Sequence, residues 1–240
     1  MHSTISELYR AFQPYRLGDD WGGCEHCVSA DASERLSQTP LDELAVADLD
    51  RYSFKAMSTW GEVRHFKYFL PRLLQLAFDE FKSFGFPEVL LGKLVMGKWR
   101  SWPRIEQDAV DTFLLAFWNH QLTRDNNGNS DDEIATVLGG LALVFPDIEF
   151  LLNHWVTVRG PSAILRLASL IETTADEIMA TGTTSCLWGD AREASTQLAS
   201  WIASDAVFEY LKANVAIVTA QFPDVLSQLD GVRGAINGHE

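Results

Sequence analysis

The stretch "RIEQDAVDTFLLAFWNHQL", Arg104 to Leu122, decides the fold class. In it Ile105, Ala109, Val110, Phe113, Leu114, Phe117 and Trp118 recur at steps of three and four. At 3.6 residues per turn such positions line up on one face, so the spacing predicts an amphipathic α-helix. "GPSAILRLASLIETTADEIM", Gly160 to Met179, repeats the pattern with Ile164, Leu167, Ala168, Ile171, Ala175 and Ile178, and Pro161 suits its first turn. No run alternates apolar and polar residues as a half-buried strand would. The expectation is an all-α protein of about ten helices, an irregular multi-helix bundle or stacked helix pairs. It would form a single all-α domain over 1–240, with an N-terminal helix and Cys-containing turn in 1–38 and a helical body in 39–240.

Helix ends are marked by residues that satisfy free backbone groups. Ser130 and Glu133 in "SDDEIATVL" have capping-box spacing, and Thr39, Pro40 and Asp42 in "TPLDEL" read as another start. A helix is expected from near Gly61, with a kink or break near Leu70, because Pro71 lacks the N–H that would bond to the previous turn. "FPEVLLGKL" (86–94), "FPDIEFLLNHW" (145–155) and "FPDVLSQL" (222–229) each set Phe-Pro and an acid before an apolar run. Their starts are unevenly spaced, which argues against a solenoid of fixed period. Local physics suffices: proline opens the helix and the acid meets its positive end. "RLGDDWGGCEHC", "TRDNNGNSDD" and "ATGTTSCLWGD" read as loops.

Hydrophobic residues make up 47% of the 240, eight of them tryptophan. A core of that size needs neither disulfides nor metal, and three cysteines are too few for a disulfide scaffold. "MHSTISELYRAF" has no basic region followed by an apolar run, and no stretch approaches a membrane span, so a cytoplasmic protein is expected. The net charge is −14, and it is uneven: residues 1–120 hold 17 acids and 13 bases, residues 121–240 hold 16 acids and 6 bases. Such a surface repels nucleic-acid phosphates and speeds the docking of basic partners.

The residues most suggestive of chemistry are Cys24 and Cys27 in "WGGCEHCVSAD". A C-x-x-C pair supplies two zinc thiolates, while a structural site needs four ligands. The others would come from Cys186, His65, His120 or His154, because no second C-x-x-C or H-x3-H exists. A redox role would place Cys24 at a helix N-terminus, where the dipole lowers a thiol pKa, but no strand precedes the pair as in thioredoxin-fold oxidants. The third reading is structural: Gly22 and Gly23 let the chain bend and the thiols pack beneath Trp21.

Other candidates are weaker. Glu62 and His65 have the Glu-x-x-His spacing of a di-iron helix, but a bundle needs two such motifs and two more carboxylates. H-E-x-x-H, G-x-S-x-G and P-loop motifs are absent, so no catalytic residue is assigned. "GKLVMGKWRSWPR" mixes Lys93, Lys98, Arg100 and Arg104 with Trp99 and Trp102. That mixture can bind single strands, but the acidic balance favours a helix corner with snorkelling bases. Asp131, Asp132 and Glu133 cluster at a helix start, where the dipole alone favours them. Glu172 and Asp176 stand four apart in mid-helix with Glu177 alongside, a like-charge spacing that costs a few tenths of a kcal/mol unless a base or a partner answers it.

"LDRYSFKAMSTWGEVRHFKYFLPRLLQL", with "GCEHC" upstream, resembles a pattern of uncharacterised bacterial all-helical proteins. The matching residues are Gly23, Cys24, Cys27, Thr59, Trp60, Gly61, Phe69, Leu70, Pro71 and Arg72, within the first third of the chain. The resemblance implies an all-α fold and, from toxin-rich neighbourhoods, an immunity protein; it carries over no catalytic residue. The combined expectation is a non-enzymatic protein that neutralises a basic, nucleic-acid-acting toxin domain. Asp131, Asp132, Glu133, Glu172, Asp176 and Glu177 would face that partner. Neither nucleic acid nor membrane is expected as a partner. No cofactor is expected unless zinc binds Cys24 and Cys27.

Overall fold

The computed structural model describes residues 2–24, 26–80, 83–125, 132–187 and 192–238. Among them are thirteen α-helices and no β-strand, in keeping with the helical period of the sequence. The excess over ten comes from short helices such as α8 (Glu149–Trp155), α11 (Asp205–Lys212) and α12 (Val215–Thr219). No helix of the described residues is long and apolar enough to cross a membrane. The chain groups into two compact units, Met1–Phe117 and Trp118–Glu240, with the boundary inside α6 (Arg104–Thr123).

The α6 stripe is buried from Ala109 to Trp118, but Ile105 is 65% exposed. Its place is taken by Glu106, which is buried with Lys67 of α4 (Val63–Asp79) at 2.7 Å. Tyr15 completes the group: its hydroxyl donates to Glu106 Oε1 at 2.6 Å and accepts from Lys67 Nζ at 2.9 Å. The Lys67 ammonium also lies 4.4 Å from the Trp102 ring centroid. A charge is tolerated in a core when a counter-charge, hydrogen bonds and an aromatic face replace its water.

Helix α4 runs unbroken through Pro71, contrary to the expected break. Phe69, Leu70, Leu73 and Leu74 around the proline are fully buried, and this packing outweighs one lost backbone hydrogen bond. "TPLDEL" forms one turn of 3-10 helix, Leu41–Glu43, and Thr39 closes the preceding α2 (Ala30–Gln38) by donating its hydroxyl to Arg35 O. The next helix, α3 (Val46–Lys55), starts later, where the Asp48 carboxylate accepts the Ala45 N–H. The Ser130 half of the other expected cap lies outside the described residues. The Phe-Pro segments do precede helices: α5 (Glu88–Met96), α8 and α13 (Val225–Asn237).

In the second unit α9 (Pro161–Thr181) is the central element and buries all six predicted stripe residues. It packs most extensively on α13, where a side chain at Gly231 would stand 2.6 Å from Met179 Sδ. Trp118, Trp155 and Trp201 form a second core cluster, with ring centroids 5.4 and 5.8 Å apart.

Candidate functional site

In the first unit, the Cys-containing turn docks on the Thr59–Gly61 segment. Cys24 N–H donates to Thr59 O at 2.8 Å and Gly61 N–H donates to Gly22 O at 2.9 Å, an antiparallel bridge of Gly23 with Trp60. The two motifs of the resemblance are thus one structural joint. Trp21 covers it, against Trp60, Tyr52, His65 and Phe69, with its indole N–H donating to Ser33 O. A Cβ at Gly23 would fall 2.7 Å from Val28 Cγ2 and 2.9 Å from Thr59 O. Gly23→Ala is therefore expected to lower stability by about 1–3 kcal/mol through overpacking, read as a drop in the urea midpoint. An unchanged midpoint would mean that the joint is loose.

The thiols do not pack beneath Trp21 as expected. Cys24 is exposed and Cys27 half-buried, while Val28 takes the buried position. Both cysteines precede α2, whose Ala32 N–H is capped by the Ser29 hydroxyl, so neither thiol stands at the first residue of the helix as the redox reading requires. Among the described residues no three His, Cys, Asp or Glu side chains gather to hold a metal ion. The Glu-x-x-His spacing has a capping role: His65 Nδ1 accepts the Glu62 N–H at 3.0 Å. Trp99 and Trp102 are buried, with Arg100 lying 3.7 Å over Trp99, so they anchor a corner and offer no stacking platform.

Two histidines are held below their ordinary pKa. For His65 the cause is burial, then the Arg64 charge; for His120, burial, then Arg124. The unfolded chain takes up protons on them near the ordinary value of about 6.5, and the folded protein only at lower pH. Their contribution to stability is present above that pH and lost below it, so the denaturant midpoint should fall between about pH 7.5 and 5.5. A midpoint that rises on acidification in that window would contradict the assignment.

The acids of the second unit divide into three groups. Glu133 pairs with Arg124. Glu177 holds its own loop, accepting from Ser185 N–H at 2.9 Å and Thr184 Oγ1 at 3.2 Å; the Ser185 backbone bond heads the causes that lower its pKa. Both of these carboxylates have internal work, which reduces their claim as contact residues. Glu172 and Asp176 are exposed on α9 with Thr173, Met179 and Ala180, and neither has an ion pair among the described residues. Asp131 and the side chain of Asp132 lie outside the described residues.

A feature the sequence reading missed is a cleft of about 420 Å³ between α8 and α10 (Arg192–Ile202). Glu149 and Asn153 line one side, Gln197, Ser200 and Trp201 the other, and Ser204 the end. Gln197 ties the two helices, its Oε1 accepting the Ile148 N–H at 3.1 Å. The sequence signal was present: Glu193, Gln197, Ser200 and Ser204 recur at helical spacing beside Trp201, a polar stripe flanking a large aromatic residue.

No protein-family model, curated protein or solved structure matches the chain.

Proposed function

We propose that this is a non-enzymatic binding protein, an immunity protein that neutralises a basic, nucleic-acid-acting toxin domain through the acidic surface of its second unit. One observation carries the reading: the unit's 16 acids face only six bases, and three of those bases are buried or paired. Arg166 is buried, Arg124 pairs with Glu133, and Arg233 pairs with Asp205. The charges of Glu172 and Asp176 therefore project into solvent with no counter-charge paired to them among the described residues. A field of this sign speeds encounter with a basic cleft and disfavours nucleic acid. The resemblance of the first third of the chain to uncharacterised bacterial all-helical proteins, some of them from toxin-rich neighbourhoods, is compatible with the same class. The test is salt dependence: affinity for a basic toxin domain that the protein neutralises should weaken steadily with ionic strength. Salt-insensitive binding removes the electrostatic reading.

A second reading rests on the surface position of Cys24 and Cys27, which leaves their turn open to zinc or thiol chemistry. The first reading predicts that a Cys24→Ser/Cys27→Ser double variant folds and neutralises like the parent, and that the purified protein carries no stoichiometric zinc. Bound zinc, or a variant without function, favours the second.

A further inference from the structure

We propose that His65 is a pH-sensitive latch: uptake of a proton at its Nδ1 atom removes the acceptor that holds the start of α4 and opens the joint on which the Cys-containing turn is seated. This is independent of the functional reading given above. In the closed joint Nδ1 accepts the Glu62 N–H at 3.0 Å. A ring nitrogen that accepts carries no proton, so the single proton of the neutral ring is on Nε2. Nε2 is buried and has no hydrogen-bond acceptor among the described residues; Asp20 Oδ1 stands 3.7 Å away, beyond hydrogen-bond reach. The side chain is 1% exposed and meets Trp21 edge-on, with ring centroids 5.3 Å apart.

An imidazolium needs acceptors at both nitrogens. In the closed joint its Nδ1 would meet the Glu62 N–H donor against donor, and its Nε2 would gain no acceptor. The surrounding charges do not offset this. Asp20 is paired with Arg64, and the Arg64 charge opposes a second cation. Glu62 favours the cation, but its side chain is exposed to solvent. Burial heads the causes that hold His65 below its ordinary pKa, followed by Arg64, with Glu62 acting the other way. Tyr52, on the far side of Trp21, is pushed further from ionisation by its own burial. The backbone passes the loss on. Next to the Glu62 N–H is that of Gly61, which donates to Gly22 O at 2.9 Å, while Thr59 O accepts the Cys24 N–H at 2.8 Å. Gly61 has a φ of 71° and no slack: a Cβ there would lie 3.0 Å from Trp21 Cζ3 and 3.1 Å from His65 Cβ. A ring that turns out to water for its two acceptors therefore displaces Trp21 and the Gly61–Gly22 bond together. The latch is closed above the ordinary histidine value of about 6.5 and opens as the pH falls through the lower value that the joint imposes.

The experiment takes the full chain, labelled with nitrogen-15 and carbon-13, from about pH 8 to about pH 5, across the ordinary histidine range. It follows the assigned His65 ring nitrogens, the Gly61 and Cys24 amides and the Trp21 indole N–H, with the Leu73 amide inside α4 as the reference for global unfolding. The ring should show the Nε2–H tautomer at the upper end and protonate with a midpoint below about 6.5. The Gly61, Cys24 and Trp21 signals should leave their closed positions at that same midpoint while Leu73 keeps its own. In His65→Asn, Oδ1 takes the place of Nδ1 and binds no proton, so the three signals should lose this transition. His26→Asn should retain it, because His26 is exposed and its side chain makes none of the hydrogen bonds of the joint. Protonation of His65 with Gly61 and Cys24 unmoved overturns the proposal. So does a transition that survives in His65→Asn, one in which Leu73 moves with the joint, or a ring that stays neutral until Leu73 unfolds. The titration of the parent protein decides the matter even where the Asn variant does not fold.

Discussion

Replacing Lys67 with alanine is expected to lower the stability of the first unit by about 3–5 kcal/mol, because it leaves the Glu106 carboxylate buried without its counter-charge. The pair is 2.7 Å apart, with side chains 9% and 5% exposed, so solvent screens it little. Tyr15 also loses the donor to its hydroxyl, and the Trp102 face loses its cation. Replacing both members, Lys67→Met with Glu106→Leu, should recover most of the loss, since an apolar pair of similar volume carries no desolvation cost. Urea unfolding of the three proteins decides this, provided the curves keep one slope. A loss below about 1 kcal/mol for Lys67→Ala would class the triad with exposed ion pairs.

The second large effect concerns recognition. Reversing Glu172 and Asp176 to lysine turns two uncompensated negative charges on α9 into two positive ones, a change of four units on one helix face. Both side chains are exposed and neither has an ion pair among the described residues, so stability should hardly change. Association with the basic toxin should slow by about 10–100-fold at low salt, because long-range steering acts on the encounter rate. The difference should largely vanish near about 1 M salt, where the Debye length is roughly 3 Å. Equal association rates at low salt would place the interface elsewhere.

The helices were legible because period 3.6 leaves a direct mark on the order of apolar residues. The α9 stripe was read without error, and α6 failed only at its first turn. There an exposed Ile105 and a buried Glu106 invert the rule that apolar residues go inside, and the inversion depends on Lys67 and Tyr15, which are distant in sequence. Pro71 was misread for a related reason: the packing that holds α4 straight through it is tertiary. In the Cys turn the bend was legible from Gly22 and Gly23, but the partner segment Thr59–Gly61 was not, since an isolated bridge has no periodicity. Glu177 shows the limit for charge. A carboxylate on an outward helical face reads as a contact residue until the chain that follows it returns to bond it. The cleft beside Trp201 needed two helices to be brought together, which no single stretch encodes.

Neutralisation of a basic toxin by the acidic surface of the second unit, as proposed above, is open to a direct test in cells. The most direct measurement is survival of cells that express each candidate toxin from the gene's own neighbourhood together with this protein or its Glu172→Lys/Asp176→Lys variant. The account predicts growth with the parent protein and loss of that protection with the variant at equal expression. No protection by the parent, or equal protection by both, would contradict it.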